Sequence, residues 1–273
     1  MPNNLIIVIM DSCRYDSFTA AATPNIDSIG AVDRRFSYAS WTSPSHYVFL
    51  MGLMPHASPQ HVFASEVYKT EFVKWVDRLG VSDLSFKTFI PHLSLPKVLK
   101  DAGYRTVGRV SMPVLNQYTT MSTHFDDYKL MSNHNDFSGM VDEIEFRDDE
   151  PTLYFLNLGE THYPYMLKDA PIISGVHGVF KRLDEGESGM SDQATEFFKA
   201  DQMDMLRNQQ IRCVEHIDGL MGKLIEKSPE NTYFIVTADH GELFGEDGYF
   251  GHGPVMHEKC FEVPYVEGIR PPG

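Results

Sequence analysis

The chain has 273 residues, of which 42% are hydrophobic and 12% aromatic, a composition that fits one large folded domain and argues against disorder. Its net charge of −15 argues against a general nucleic-acid or anionic-membrane surface, because phosphate groups are bound by Lys and Arg. We therefore predict a single domain over residues 1–273, with no membrane partner, that binds a small anion only with the help of metal cations.

The first predicted element is a strand that ends in an acid. Residues 5–10 form a continuous apolar run, which is typical of a central parallel strand covered on both faces, and Asp11 follows it. The next predicted elements are a short helix over 25–30, a short strand over 36–39 and a helix over 45–51 that ends near Gly52. Thr42 lies just before this last helix, where free backbone N–H groups favour an anion.

The middle of the chain is predicted to contain a βαβ unit. Residues 95–102 read as a helix that Gly103 ends, and residues 106–110 read as the following strand. Residues 71–79 have the helical spacing of apolar positions, whereas residues 116–150 are polar and irregular.

The last part of the chain is predicted to add strands, a loop and the longest helix. The elements are strands over 153–158, 232–236 and 263–266, a loop over 168–195 that could cover a site, and a helix over 195–227.

An acid and an imidazole, Asp239 and His240, stand side by side after the predicted strand at 232–236. Asp11 occupies the same position after the first strand, and open α/β sheets bind ligands at the carboxyl ends of their strands. Two such carboxylates, one histidine and the hydroxyl of Thr42 would together make a metal-dependent hydrolytic site.

Seven short motifs occur in a fixed order along nearly the whole chain. They are residues 11–16, 23–27, 41–45, 99–106, 237–242, 251–253 and 262–264. The ordered set resembles the alkaline phosphatase and sulfatase superfamily, and its sulfatase-like branch in particular. The resemblance implies an α/β fold of the alkaline phosphatase type, with a central, mostly parallel sheet and helices on both faces.

The resemblance implies a role for each matching residue. Asp11, Asp239 and His240 match ligands of a divalent metal, and Thr42, a further metal contact, stands at the position of the nucleophile. Sulfatases carry a Cys or Ser there that is converted to formylglycine, which threonine cannot become because its β-carbon already bears a methyl group. Threonine is instead similar to the phosphodiesterase, nucleotide pyrophosphatase and lipoteichoic acid synthase members, which form a phospho-enzyme. This similarity favours phosphate esters over sulfate esters.

Other positions also depart from the sulfatase pattern. Ser12 stands where sulfatases have a second acid, His46 where they carry an arginine, and His257 near the place of a lysine. Fewer acids and more histidines favour zinc or manganese over an all-oxygen site, with calcium or magnesium as the alternatives.

Three further histidines are candidates for the site. His252 lies between two glycines that permit close backbone approach and is predicted to bind metal. His162 and His257 are predicted to be catalytic, together with Arg109, which stands where sulfatases often have a site lysine. With Glu160, these histidines could bind a second metal or, without one, act as general acid and base.

The expected activity is metal-dependent hydrolysis of a small anionic ester, which is a phosphomonoester, phosphodiester or phosphonate ester, through a phospho-enzyme at Thr42. Three alternatives remain. They are a sulfatase-like hydrolase of sulfuric esters, a phosphotransferase that passes the group to an alcohol, and a non-catalytic binding protein of the same fold. Nucleic acid is not expected as a general partner.

Sulfatases usually continue past the final Val-Pro strand into a small C-terminal subdomain, which we do not expect within residues 1–273. The alternatives are that the subdomain is absent, that it lies beyond residue 273, or that a partner chain takes its place. A sheet edge left exposed in this way would favour a homodimer.

The cysteines and the N-terminus favour a cytoplasmic location. Cys13, Cys213 and Cys260 are odd in number and far apart, which predicts neither a disulfide framework nor a metal finger. The N-terminus lacks the basic region and cleavage site of a signal peptide, and no apolar run reaches about 18 residues.

Overall fold

The computed structural model of the protein describes residues 3–57, 94–165, 167, 180–181 and 199–272. The strands in these ranges are β1 Asn4–Met10, β2 Asp33–Phe36, β3 Arg105–Val110, β4 Asp127–Leu130, β5 Thr152–Leu158, β6 Phe180–Lys181, β7 Thr232–Ala238, β8 Leu243–Phe244, β9 Tyr249–Gly251 and β10 Glu262–Ile269. The helices are α1 Tyr15–Ala20, α2 Pro24–Asp27, α3 Thr42–Leu50, α4 Leu95–Asp101, α5 Phe137–Glu143, α6 Ala200–Lys227 and α7 Glu258–Phe261. Among the described helices, none is long and apolar enough to cross a membrane.

Seven strands form the central sheet, in the order β2-β10-β7-β1-β5-β3-β4. Strands β7, β1, β5, β3 and β4 are mutually parallel, whereas β10 runs antiparallel between β7 and β2. Strands β6, β9 and β8 form a separate small antiparallel sheet. The predicted α/β fold with a central, mostly parallel sheet is confirmed.

Helices cover both faces of the sheet because its central strands are apolar on both sides. In β1, Ile6, Val8 and Met10 belong to the core on the face covered by α1, α2, α5 and α6. Ile7 and Ile9 belong to the core on the opposite face, beneath α3 and α4. Each of these five side chains is fully buried and stabilises the fold by about 2 kcal/mol.

Most predicted elements lie within a few residues of observed ones. The helix predicted over 195–227 begins five residues later, at Ala200, as α6. The strand predicted over 36–39 is β2, three residues earlier, and the helix predicted over 45–51 already begins at Thr42 as α3. The predicted helix at 71–79 lies outside the described residues, as does the loop at 168–195 except for β6.

The region 116–150, predicted to be irregular, contains β4 and α5. Helix α5 begins where the Asp136 carboxylate accepts a hydrogen bond from the Gly139 N–H at 3.1 Å, and it buries Phe137, Met140 and Val141 at helical spacing. The many acidic residues of this region led to the prediction of irregular structure, although the region contains a short amphipathic helix.

The two edges of the central sheet do not favour strand-to-strand association. Strands β2 and β4 have only four residues each and carry charged side chains, which protect an edge from pairing. A homodimer, which stays a prediction, would have to use another surface.

Candidate active site

The sheet register places Asp11 and Asp239 side by side. Strands β1 and β7 pair in parallel with Met10 opposite Ala238, so the residue that follows each strand emerges at the same level. Both carboxylates are fully buried, and His240 comes directly after Asp239. One ligand atom from each of Asp11, Asp239 and His240 lies within 4.8 Å of the other two.

Thr42 joins this cluster as the first residue of α3. Its Oγ1 lies 3.3 Å from Asp11 Oδ1 and 3.3 Å from His240 Nε2. Trp41, the extended residue before the helix, provides no side-chain cap. The first N–H groups of α3 are therefore available to an anion at the same place as the hydroxyl.

A tight turn at Ser12 directs the Asp239 carboxylate. The backbone of Ser12 lies in the left-handed region, with φ 61°, which is uncommon for a residue other than glycine. Its N–H donates to Asp239 Oδ1 at 3.0 Å, as does the N–H of His240. The other oxygen, Asp239 Oδ2, is buried without a hydrogen-bond partner. Such an oxygen costs about 1–3 kcal/mol unless a ligand satisfies it, and a cation suits it.

His240 presents the form of imidazole that binds metal. Its Nδ1 lies 2.8 Å from the carbonyl oxygen of Gly241 and donates to it, so Nε2 faces Thr42 without a proton. Burial and the neighbouring His252 lower the pKa of His240 well below its usual value, which keeps the ring neutral. Gly241 is required here, because a Cβ at this position would lie 1.9 Å from the carbonyl oxygen of Lys259.

The two carboxyl groups of the cluster titrate differently. Burial alone would raise the pKa of Asp11, but the nearby imidazole of His162 and the hydrogen bond from Asn157 help to outweigh it and hold the pKa at about 2. Burial and the charge of Asp11 raise the pKa of Asp239 well above its usual value. The surroundings thus favour the ionised form of Asp11 and disfavour that of Asp239, an imbalance that the charge of a bound cation would offset.

His252 stands beside the cluster and is held by Glu242. Its ring centroid lies 4.3 Å from that of His240, and its Nδ1 lies 3.0 Å from Glu242 Oε1. The second oxygen of Glu242 accepts a hydrogen bond from the hydroxyl of Tyr165. Burial would lower the pKa of His252, but the bond to Glu242 outweighs it and raises the pKa. The hydrogen bond to Glu242 therefore favours the protonated form of His252.

His162 packs beside His252, and neither His162 nor Glu160 belongs to a second metal-binding group among the described residues. The His162 ring centroid lies 5.0 Å from that of His252, and its Nδ1 lies 2.6 Å from the carbonyl oxygen of Tyr163. In the described part of the chain, the cluster of Asp11, Asp239 and His240 is the one group of three His, Cys, Asp or Glu side chains close enough to share an ion.

Arg109 and His257 are not brought to the cluster by any of their observed contacts. The guanidinium of Arg109 bonds Asp127 at 2.6 Å and Glu143 at 2.8 Å, which ties β3 to β4 and α5. His257 precedes α7, and its Nδ1 accepts a hydrogen bond from the Lys259 N–H at 3.1 Å. The geometry therefore gives both residues structural partners and adds no support for a catalytic role.

For three buried residues of the site, the sequence led to no prediction of a catalytic or metal-binding role. Asn157 is a polar residue inside the apolar strand β5, and that contrast was the signal that could have revealed it. His46 follows Thr42 by one helical turn and so lies on the same face of α3. Glu242 belongs to the motif at 237–242, but its partners come from far along the chain.

Replacing Glu160 should change how stability depends on pH. The Glu160 carboxylate accepts the Phe137 N–H at 2.7 Å, and burial raises its pKa from 4.5 to about 7. A raised folded-state pKa means that stability is lost as pH rises from the unfolded pKa through the folded one. In Glu160→Gln, the unfolding free energy relative to wild type should therefore increase by about 3 kcal/mol between about pH 4.5 and about pH 8.

Urea unfolding at several pH values measures this difference in unfolding free energy between the variant and wild type. Glu143→Gln is the control of opposite sign, because Lys129 and Arg109 lower the pKa of Glu143. Its unfolding free energy relative to wild type should fall, and not rise, as pH increases. If the difference in unfolding free energy between Glu160→Gln and wild type were the same at every pH, the expected result would be contradicted.

The fold is that of an α/β protein, and the candidate site lies at the carboxyl ends of its parallel strands, where such folds bind ligands. The chain belongs to the sulfatase family, since the family model described as Sulfatase matches residues 3–267. The resemblance indicated by the ordered motifs is confirmed, and the fold of this family supports ester hydrolase or transferase activity. A comparison with curated protein sequences finds no match.

Solved structures share this fold at low sequence identity. The C-terminal periplasmic domain of EcEptC from Escherichia coli, in complex with Zn, is similar with a TM-score of 0.58 and 14% identity over 98% of this chain and 73% of that one. The corresponding domain of the phosphoethanolamine transferase EptC from Campylobacter jejuni has a TM-score of 0.56 and 13% identity over 98% and 80%. A protein of the alkaline phosphatase superfamily from Vibrio parahaemolyticus has a TM-score of 0.54 and 17% identity over 99% and 62%. At these identities the likeness shows the fold alone.

Proposed function

We propose that the protein is a metal-dependent hydrolase of phosphoric esters that uses Thr42 as its nucleophile. The observation that carries the proposal is the position of Thr42 Oγ1, which lies 3.3 Å from both Asp11 Oδ1 and His240 Nε2 at the start of α3. A threonine hydroxyl is a poor nucleophile at its own pKa, so it needs an activating group next to it.

Asp11, Asp239, His240 and Thr42 would hold the cation. Carboxylate oxygens with one imidazole nitrogen and one hydroxyl suit zinc or manganese, and the EcEptC domain was solved with Zn. When bound, the cation supplies positive charge that favours the alkoxide of Thr42 and offsets the charge on the ester oxygens.

The side chains of the site account for the remaining chemistry. Thr42 Oγ1, once its hydroxyl proton has passed to solvent, would form the bond to phosphorus while the bond from phosphorus to the alcohol oxygen breaks on the opposite side. The imidazole of His252 gives the leaving alcohol a proton, and Glu242 stabilises the imidazolium before that transfer. Water then attacks the phospho-threonine, and the neutral His252 can accept the proton of that water.

The residue type at position 42 supports phosphate over sulfate as the transferred group. A threonine that stays unmodified can still form an ester with phosphorus, and its breakdown by water completes a hydrolytic cycle. A sulfuric ester hydrolase that uses the unmodified Thr42 is the alternative within the same family.

A phosphotransferase is the second candidate function. The structure from Campylobacter jejuni that shares this fold is named a phosphoethanolamine transferase. In such a reaction the first half is unchanged, and an alcohol takes the place of water in the second half.

Turnover of four matched aryl esters tests the proposal. The Zn²⁺- or Mn²⁺-loaded protein should hydrolyse a phosphate monoester, a phosphate diester or a phosphonate ester faster than the corresponding sulfate ester. Faster release from the sulfate ester would overturn the proposal. Addition of glycerol separates the two candidates, because a transferase would form glycerol phosphate in place of inorganic phosphate.

A further inference from the structure

We propose that Asn157 and His46 are positioning residues, which link the carboxylate of Asp11 to the backbone of the nucleophile Thr42. This inference rests on the function proposed above and concerns two residues that need not touch the substrate. It starts from a chain of hydrogen bonds whose directions are fixed by the partners of each group.

The partners of Asn157 determine how its amide is oriented. Its Oδ1 accepts the backbone N–H groups of Ser111 at 3.3 Å and Met112 at 3.1 Å, just after β3. Its Nδ2 then supplies one hydrogen to Asp11 Oδ2 at 2.9 Å and the other to His46 Nε2 at 3.2 Å. Every polar atom of this fully buried amide is used, so the group cannot turn over without losing four bonds.

The tautomer of His46 follows from the same contacts. Because Nε2 accepts from Asn157, the proton of the neutral ring lies on Nδ1, which donates to the Thr42 carbonyl oxygen at 2.9 Å. The ring is 1% exposed and packs edge-on against Phe49 and Phe155, with centroids 5.8 Å and 5.9 Å away. Its orientation is therefore held by packing as well as by hydrogen bonds.

The chain of bonds runs from Asp11 through Asn157 and His46 to the Thr42 carbonyl. At one end, Asp11 Oδ2 is anchored, so Oδ1 remains directed towards Thr42 Oγ1. At the other end, the first turn of α3 is anchored through its backbone. The separation between a metal-binding carboxylate and the nucleophile is thus set by residues that support both. Residues that support a metal ligand in this way typically change metal affinity or activity by about 10–100-fold.

Asn4 offers a matched control for a purely structural role. It is also buried, and its Oδ1 accepts the Thr152 N–H at 2.8 Å, which ties β1 to β5 at the opposite end of the strands. Asn157→Leu and Asn4→Leu therefore each remove a buried amide between central strands, but only the first removes a donor to Asp11.

The affinity for Zn²⁺, measured by titration calorimetry with a competing chelator, tests the Asp11 end. Asn157→Leu should weaken Zn²⁺ binding by about 10–100-fold, whereas Asn4→Leu should leave it within about twofold even where both lower the melting temperature. Wild-type affinity in Asn157→Leu, or equal weakening in both variants, would overturn the inference.

Two His46 variants test the Thr42 end and remain informative if Asn157→Leu does not fold. His46→Asn places an amide near Nδ1 and can keep the donor to Thr42, whereas His46→Gln places its amide near Nε2 and loses that donor. We expect His46→Gln to lower kcat by about 10–100-fold with KM and Zn²⁺ affinity within about twofold, and His46→Asn to retain most of kcat. Equal losses of kcat in the two variants would refute the positioning role.

The inference and the proposed function can fail separately. Zn²⁺ affinity requires no substrate, so the comparison of Asn157→Leu with Asn4→Leu stands whatever ester is turned over. If Thr42→Ala kept its turnover, the proposed nucleophile would be wrong while the Asp11 end of the chain would still be tested.

Discussion

Thr42→Ala is expected to abolish ester turnover, by a factor of about 10⁴ or more, while the protein still binds Zn²⁺. The substitution removes the only hydroxyl in the described residues that contacts both Asp11 and His240. Loss of a nucleophile costs orders of magnitude in kcat, because the remaining groups only bind and polarise the ester. Asp11, Asp239 and His240 are untouched, so calorimetry should still detect Zn²⁺ binding, weakened only by the loss of the hydroxyl contact.

Thr42→Ser is the matched control for this loss. It keeps the hydroxyl and removes one methyl group, so turnover should stay within about tenfold of wild type. Intact protein mass spectrometry after acid quenching should find a phosphorylated species in wild type and in Thr42→Ser, and none in Thr42→Ala. Turnover that survives in Thr42→Ala would exclude the phospho-threonine mechanism.

Asp239→Asn is expected to abolish metal binding and, with it, turnover, yet to stabilise the metal-free protein. The amide oxygen of the Asn can still accept hydrogen bonds from the N–H groups of Ser12 and His240. The NH₂ group of the Asn takes the place of the buried Oδ2, which has no hydrogen-bond partner. Zn²⁺ affinity should fall by more than the roughly 100-fold that loss of a supporting residue costs. The same change removes a buried carboxyl that burial and the charge of Asp11 hold at a raised pKa.

The pH dependence gives the sign of the stability effect. Since the folded-state pKa of Asp239 lies above its usual value, wild type without metal loses stability as pH rises from that usual value through the folded pKa. Asp239→Asn lacks this loss, so its advantage in melting temperature should be larger at neutral pH than in acid. Thermal scans with a chelator measure the advantage, and scans with Zn²⁺ should reverse it. A variant less stable than wild type at neutral pH without metal would contradict this account.

The central cluster was predictable because each of its residues ends or begins a regular element. An apolar run followed by an acid marks both β1 with Asp11 and β7 with Asp239, and parallel strands bring such positions to one edge. The strands could also be predicted from the local sequence alone, without knowing which strands lie beside them. Their apolar residues are continuous because helices cover both faces of the sheet.

The residues that surround the cluster were harder to predict because their roles depend on partners distant in sequence. Arg109 stands where sulfatases often have a lysine in the site, but its guanidinium donates hydrogen bonds to Asp127 and Glu143. Those partners lie in β4 and α5, which the charged composition of that region concealed. Asn157 was missed for a related reason, since its amide lies in a buried strand and its partners Asp11 and His46 come from distant parts of the chain.

The turn at Ser12 connects two segments that lie far apart in sequence, because its N–H donates a hydrogen bond to the carboxylate of Asp239, 227 residues further on. A ribosome synthesises β1 before β7, so the group formed by Asp11, Asp239 and His240 cannot assemble until the residues after β7 have left the exit tunnel. If this group binds the cation of the proposed mechanism, the metal can be taken up only after β7 is made, and folding without the metal lacks the free energy that its binding would contribute.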